Sequence, residues 1–420
     1  MSQDVDSRPR TDERPIRDYN PFVEPDLSDP YTPLAEARKN APVFYSPAMG
    51  AWVVTRHEDV KYVLAETELF SSTQSIYSNL DPLPEPVAEI LRTGFPYSGG
   101  LVDMDPPDHA PARRLFNHRF VLSSVTRLQA HIRAQAHRLV DEMGGPPADI
   151  GAAFANMLPV VVITTLLGVP SGDVAAVKFW ADEWLVLNSR QGDIERLTAA
   201  ARALLDFQSY VDELLAQRET GGMTDDPLSD LLAINDTGVR PIDRTTMHSV
   251  LMSVLLAGYK TTSGLLANSV YQLSRRPEVV EELQRSPELI DKFLLEVVRF
   301  DTAVPGMYRT ATQDVQIGGT VVPAGSHLQV SFLSADRDET VFDHADRFDL
   351  HRTDGAAQIG FGRGIHHCMG SSLSMLEAHI AVETVIDRLP GLRLADGCER
   401  VFAQSATIRN TPSLMVTWRK

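Results

Sequence analysis

The chain has 420 residues, 43% hydrophobic and 23% charged, enough to bury a large core and, by length alone, to form two or three domains. A formal net charge of −17 argues against nucleic acid as a partner, because phosphate binding needs a basic face. Its two cysteines, Cys368 and Cys398, are too few for a disulfide framework and fit a reducing cytoplasm.

Residues 1–18 are polar, with Arg8, Arg10, Arg14 and Arg17 offset by Asp4, Asp6, Asp12 and Glu13, and read as a disordered leader without the apolar core of a signal peptide or anchor. The longest apolar run, Met157 to Val169, is broken by Pro159 and two threonines and is too short to span a bilayer, so no membrane association is expected. No Gly/Ser linker or internal repeat divides residues 19–420, which read as one domain. Pro42–Tyr45 and Ala51–Thr55 form a hairpin, and His57–Leu64 a short helix. Ser71 to Gly100 is irregular, with four prolines and the aromatics Tyr77, Phe95 and Tyr97. So long a segment inside a domain is functional or an ordinary surface excursion.

In the stretch Asp105 to Arg114, Pro107 is placed to start a helix and Asp105 or Asp108 to cap it. His109 and Arg113, four apart, then share a helix face that suits an anionic oxygen ligand or forms a surface pair. Helices are expected over 127–143, 155–167, 173–187 and 194–218, punctuated by Gly/Pro-rich turns. Trp180, Trp184 and Leu187 fit helix core better than ligand contact. The longest helix signal runs from Asp243 to about Arg275 and ends at Pro277. Inside it lies Leu255-Leu256-Ala257-Gly258-Tyr259-Lys260-Thr261-Thr262, where the glycine costs roughly 1 kcal/mol. A local cost inside an element points to a functional reason. Glu296 and Arg299, three apart on the next helix, form an ion pair. A hairpin over 314–325 and a strand over 328–334 follow.

The chain then reaches Gly360-Phe361-Gly362-Arg363-Gly364-Ile365-His366-His367-Cys368-Met369-Gly370, followed by a helical run. Glycines at 362 and 364 permit backbone angles closed to other residues. Cys368 lies just before a helix N-terminus, which favours a thiolate, so it is a metal ligand or a nucleophile. The pattern Phe-Gly-x-Gly-x-His-x-Cys-x-Gly resembles the haem-ligand loop of the cytochrome P-450 superfamily, with every fixed position filled.

The resemblance implies a mainly α fold with small β-sheets (α+β) over residues 20–420, with the 173–187 and 194–218 helices as a lid over the substrate channel. It implies a haem b with Cys368 as axial thiolate. Phe361, Gly362 and Gly370 shape its loop, and His109, Arg113, Arg309 and His366 hold the propionates. Glu296 and Arg299 match the family's Glu-x-x-Arg pair. Ala257 and Gly258 match the small residues that let the long helix kink and make room for oxygen, and Thr261 the threonine that serves proton delivery. The usual acid is replaced by Lys260. That lysine points into a polar network away from the haem, binds an anionic group, or marks a different use of oxygen. By family position the substrate pocket draws on Tyr77, Arg92, Phe95, Tyr97, Trp184, Leu187, Ser253, Leu256, Val304, Met307, Thr407 and Ile408, suiting a mid-sized, partly apolar molecule, as in secondary metabolism or aromatic catabolism.

The implied activity is monooxygenation, a hydroxylation or epoxidation using O2. Electrons would come from a separate ferredoxin and ferredoxin reductase, docked near Arg113 or Arg114, Arg119 and Arg363, with the enzyme a monomer. Lys260 also admits a peroxide-driven or non-hydroxylating enzyme. A non-catalytic haem sensor would need neither Thr261 nor a lid.

Overall fold

The computed structural model describes residues 19–76, 82–96, 100–190, 192–222, 225, 228–229, 232 and 244–419. The expected leader, the N-cap position Asp243, and Tyr77 and Tyr97 lie outside the described residues.

The first helix, α1 (Tyr31–Asn40), precedes the expected hairpin of β1 (Val43–Ser46) and β2 (Ala51–Val54), whose register pairs Val43 with Val54. Helix α2 (His57–Ala65) and the short strand β3 (Phe70–Ser71) follow. The proline-bearing stretch read as irregular contains a helix, α3 (Glu85–Leu91), because Pro86 falls in its first turn, where no N–H is required. Helix α4 (His109–Phe120) begins two residues after Pro107. Asp105 is turned instead to the β3 loop, where its carboxylate accepts from the Ser72 N–H at 2.7 Å.

The helical body continues with α5 (Leu122–Val125), α6 (Gln129–Glu142), α7 (Met157–Leu166), α8 (Val174–Ser189) and α9 (Ile194–Gly221), with strand β4 (Ala148–Asp149) before α7. Asp193 caps α9 by accepting from the Arg196 N–H at 2.9 Å. The long helix α10 (Arg244–Ser274) is unbroken across Gly258. It is the one helix among the described residues long and apolar enough to cross a membrane, and it is largely buried within the protein. Side chains from nearly all round it sit in the main core, alongside Phe154, Phe207, Phe293 and Leu294.

Beyond α10 come α11 (Pro277–Arg285), α12 (Ile290–Phe300), β5 (Gly306–Ala311), the hairpin β6 (Val315–Ile317) and β7 (Thr320–Val322), and β8 (His327–Ser331). The strand expected to reach residue 334 stops at Ser331, and the chain turns into α13 (Phe332–Ala335), with Ser331 Oγ accepting from the Ser334 N–H at 3.4 Å. The main sheet runs β1-β2-β8-β5-β3, with β2 and β8 parallel. Helix α14 (Ser371–Arg388) leads to β9 (Arg393–Leu394) and β10 (Met415–Thr417), and β10 pairs with both β4 and β9. The result is the expected α+β architecture, a helical body with small sheets.

Candidate active site

The loop Gly360–Gly370 enters α14 through two left-handed turns, Gly362 at φ +69° and Gly364 at φ +73°. A Cβ at Gly364 would stand 2.8 Å from the Leu64 carbonyl oxygen of α2, so glycine is required there for conformation and for space. The Cys368 N–H donates to the Phe361 carbonyl at 2.9 Å, closing the loop. Burial pushes the Cys368 thiol up, while the Gly370 and Ser371 N–H groups and the Arg113 charge pull it down without prevailing. The helix start therefore does not by itself make a thiolate here. A cation bound at sulfur would.

Across the chamber from Cys368 lies one face of α10. Ala257, Gly258, Lys260, Thr261, Thr262 and Leu265 line the same large cavity as Phe361, Gly362, Cys368 and Gly370. Thr261 Oγ1 donates to the Ala257 carbonyl at 2.7 Å. Thr262 Oγ1 reaches Ser374 Oγ of α14 at 3.2 Å, tying the two walls together. Gly258 has a second role beside the oxygen space read from the sequence. A Cβ there would stand 2.8 Å from two side-chain carbons of Ile163, so this glycine lets α7 pack against α10. Lys260 does line the cavity, but its ammonium is ion-paired with Asp182 of α8.

At the rim, the His109 and His366 rings lie 4.3 Å apart, and Ser72 Oγ is 2.9 Å from His366 Nε2. Arg309, 4% exposed, donates to the Tyr308 carbonyl at 2.6 Å and among the described residues forms no ion pair. Arg113 donates to the Ile365 and His367 carbonyls at 2.8 and 2.7 Å, clamping α4 to the cysteine loop. Burial lowers all four groups. Arg309 falls to about 10, and His366, also facing the charges of Arg309, His109 and Arg113, falls to about 3. Two arginines with little compensating charge, beside two imidazoles that burial holds toward their neutral form, make the environment an anionic ligand relieves. The residues thus fit a haem. Cys368 would bind its iron, and His109, Arg113, Arg309 and His366 are placed at the rim where its two carboxylates would lie.

Of the other expected pocket residues, Trp184, Ser253, Leu256, Val304, Met307, Thr407 and Ile408 line the chamber. Arg92 does not. It is exposed and paired with Glu85 at 2.7 Å along α3. Phe95 also lies elsewhere, stacked on His248 at 4.1 Å, with its backbone bonded to Gln208. Leu187 packs into the core, while Leu185, Asn188 and Ser189 of the same helix line the chamber. The helical period turns 184 and 188 to one side and 187 away.

Two lining residues carry chemistry the sequence did not announce. Asn188 Nδ2 is buried without a hydrogen-bond partner. Glu377 of α14 is 1% exposed with Oε2 unpartnered, and burial holds its carboxyl well above the ordinary range. Spacing could have found both, at Trp184 plus four and at Gly370 plus seven on a helix.

Glu296 and Arg299 are both buried and pair at 2.7 and 2.8 Å. The remaining Arg299 donors reach the carbonyls of Asp336, Ala345 and Arg347. The pair thereby fixes the chain leading into the cysteine loop.

One half-buried cysteine facing a helix wall across an apolar chamber with two arginines at its rim defines a haem-thiolate protein. The cytochrome P450 family model matches residues 198–390. The chain is 35% identical to nocardicin C N-oxygenase of Nocardia uniformis subsp. tsuyamanensis over 97% of its length and 100% of that protein's. It is 34% identical to mycinamicin IV hydroxylase/epoxidase of Micromonospora griseorubida over 88% of its length and 89% of that protein's. The solved structure of cytochrome P450 CREJ with (4-ethylphenyl) dihydrogen phosphate superposes with a TM-score of 0.90 at 28% identity, covering 96% of this chain and 99% of that one. The chain belongs to the cytochrome P450 family, and it is a monooxygenase with a haem held by a cysteine thiolate.

Proposed function

We propose that this enzyme oxygenates a mid-sized, largely apolar small molecule that carries a hydrogen-bond-accepting group. The observation that carries the reading is the unpartnered Asn188 Nδ2 in an otherwise mostly apolar wall of Trp184, Leu185, Val254, Leu256 and Ile408. A buried amide donor costs about 1–3 kcal/mol when unsatisfied, so a ligand oxygen there is favoured. The relatives' names, a hydroxylase/epoxidase and an N-oxygenase, support C–H, alkene or amine oxygenation as the reaction type. Secondary metabolism is the setting we infer from such relatives.

When bound, the haem supplies reductive activation of O2 and transfer of one oxygen atom. The chain's residues then have distinct roles. Trp184, Leu256 and Val304 exclude water and orient the substrate. The Thr261 hydroxyl, on the α10 wall, is the group we assign to holding and passing protons, while the buried Glu377 carboxyl lies on the opposite wall, on the helix that follows Cys368. Backbone N–H groups of Gly370 and Ser371 tune the sulfur.

Electrons are supplied, in this reading, by a ferredoxin and its reductase. Arg114, the neighbour of the Arg113 that bonds the cysteine loop, and Arg363, two residues before exposed Ile365, are exposed, and we assign them to a basic and apolar docking point on an acidic protein. Arg119 contributes less than its sequence position suggested, because Asp225 pairs with it at 2.7 Å.

Binding is tested by the spin-state change of the ferric Soret band on titration with apolar ring compounds and their carbonyl-bearing analogues. Asn188→Leu is expected to weaken the carbonyl compounds about tenfold and leave the hydrocarbons unchanged. Equal loss for both series, or for neither, contradicts the assignment. A second reading, peroxide-driven turnover, is favoured by the missing acid at Lys260. Product formed with hydrogen peroxide alone, at rates matching or exceeding those with ferredoxin, reductase and reduced nicotinamide, would establish it.

A further inference from the structure

Lys260 occupies a position on the chamber face of α10, yet its amine is bound elsewhere. It pairs with Asp182 Oδ1 and donates to the Tyr259 hydroxyl at 3.2 Å, lying 4.5 Å above that ring's centroid. The Tyr259 hydroxyl in turn donates to Asp182 Oδ1 at 3.3 Å. Asp182 Oδ2 accepts from Lys178, one turn earlier on α8, at 2.8 Å. Both carboxylate oxygens are therefore engaged, one by α10 and one by α8.

Among the described residues, every hydrogen bond and ion pair between α8 and α10 ends on Asp182. Lys178 of α8 also lies 5.9 Å from the centroid of the Tyr259 ring, beside the same carboxylate. Toward α9, α8 is tied through Trp180 stacked on Phe207, Glu183 paired with Arg196, and its N-cap Asp173 bonded to Tyr210. Helix α8 carries Trp184, Leu185, Asn188 and Ser189 into the chamber wall. Among the described residues, the electrostatic ties of α8 to α10 are thus gathered in one cluster of Asp182, Lys178, Tyr259 and Lys260.

We propose that Lys260 is a positioning residue, which with Asp182 pins α8 over the haem chamber and sets how far that wall opens, instead of passing protons. Lys260 is only 14% exposed, and the partner carboxylate neutralises it where it sits. Burial lowers Lys260, and Asp182 opposes that. On Asp182 itself the two lysines outweigh burial and hold the carboxyl below its ordinary range. An amine held by Asp182 and against the Tyr259 ring is engaged away from the chamber, which suits a clamp and not a relay. The inference rests on the family reading of the chamber and on neither the substrate nor the electron donor proposed above.

The test follows 4-phenylimidazole binding to the ferric holoenzyme by stopped flow, a reaction with no net proton transfer through the chamber wall and no need for substrate or reductase. Lys260→Met and Asp182→Asn are expected to speed both association and dissociation about fivefold, the scale of one partly exposed ion pair. Lys260→Arg should behave as the parent, and the charge-reversed pair Lys260→Glu with Asp182→Lys should return both rates to within about twofold of it. A normal ferrous–carbon monoxide spectrum verifies each variant's site. If Lys260→Met fails to hold haem, Asp182→Asn and the reversed pair decide the question. Unchanged rates in the single variants, or a reversed pair no slower than either, would overturn the proposal.

Discussion

Thr261 and Gly258 sit on adjacent turns of α10 and fail in different ways when changed. Thr261→Ala removes a hydroxyl from the chamber without disturbing packing, since that hydroxyl bonds only the Ala257 carbonyl of its own helix. Product formed per electron pair is expected to fall by on the order of tenfold to a hundredfold while reduction by the donor continues. Parallel loss of electron uptake and product would contradict a role in proton delivery. Gly258→Ala instead drives a methyl group into Ile163 and is expected to cost about 1–3 kcal/mol in denaturant unfolding. Adding Ile163→Val should return part of that loss, whereas additive destabilisation would show that α7 is not what the glycine accommodates. Glu377 gives a pH-dependent outcome. Its carboxyl is raised above the ordinary value of 4.5, so the folded protein holds a proton that the unfolded chain releases. Stability therefore falls as pH rises from about 4.5 toward the folded value. Glu377→Gln should lack that slope and be the more stable protein at neutral pH. Parallel pH profiles would exclude the buried neutral acid.

At the scale of elements, the site is built from the starts of α4 and α14, the middle of α10 and the cysteine loop, and the Glu296–Arg299 pair holds the loop's approach. Arg299 spends five donor contacts on Glu296 and three carbonyls, all within the core. Arg299→Met leaves the buried Glu296 with only Arg352 and the Asp349 N–H and takes a donor from each of those carbonyls, at an expected cost of about 3–5 kcal/mol. Thermal unfolding of the holoenzyme measures it. A shift of only a degree or two would mean that the chain before Cys368 is held by other contacts. Elements with a strong period or clear punctuation were legible in the sequence: α10, the β1–β2 hairpin, and the loop with its two left-handed glycines. Helix α3 was not, because four prolines in thirty residues suggest irregular chain unless Pro86 is recognised as a first-turn residue. The end of β8 was hidden as well. An apolar run reads alike in strand and helix, and a serine cap decides where one becomes the other.

On the scale of the whole molecule, the site's legibility followed the locality of its parts. Cys368, its glycines and the His109–Arg113 face lie within short stretches with fixed spacing, so sequence alone assembles them. The pocket wall is made by residues of both α8 and α10, and a one-residue choice of helix face separates Leu187 from Asn188. Arg92 and Phe95 were placed by their neighbourhood in the chain, yet Glu85 and His248 hold them outside the chamber. Lys260 shows the same limit, since its partner is 78 residues away on another helix and only the fold brings Asp182 to it.

The central claim is that Cys368 gives its sulfur to a haem iron as a thiolate. The ferrous–carbon monoxide difference spectrum of the dithionite-reduced protein tests it most directly, with Cys368→Ser as the matched control. The account predicts the red-shifted Soret band from which the family takes its name in the parent and its absence in Cys368→Ser. A parent band at the shorter wavelength of histidine- or thiol-ligated haem would contradict the assignment of Cys368 and the mechanism built on it.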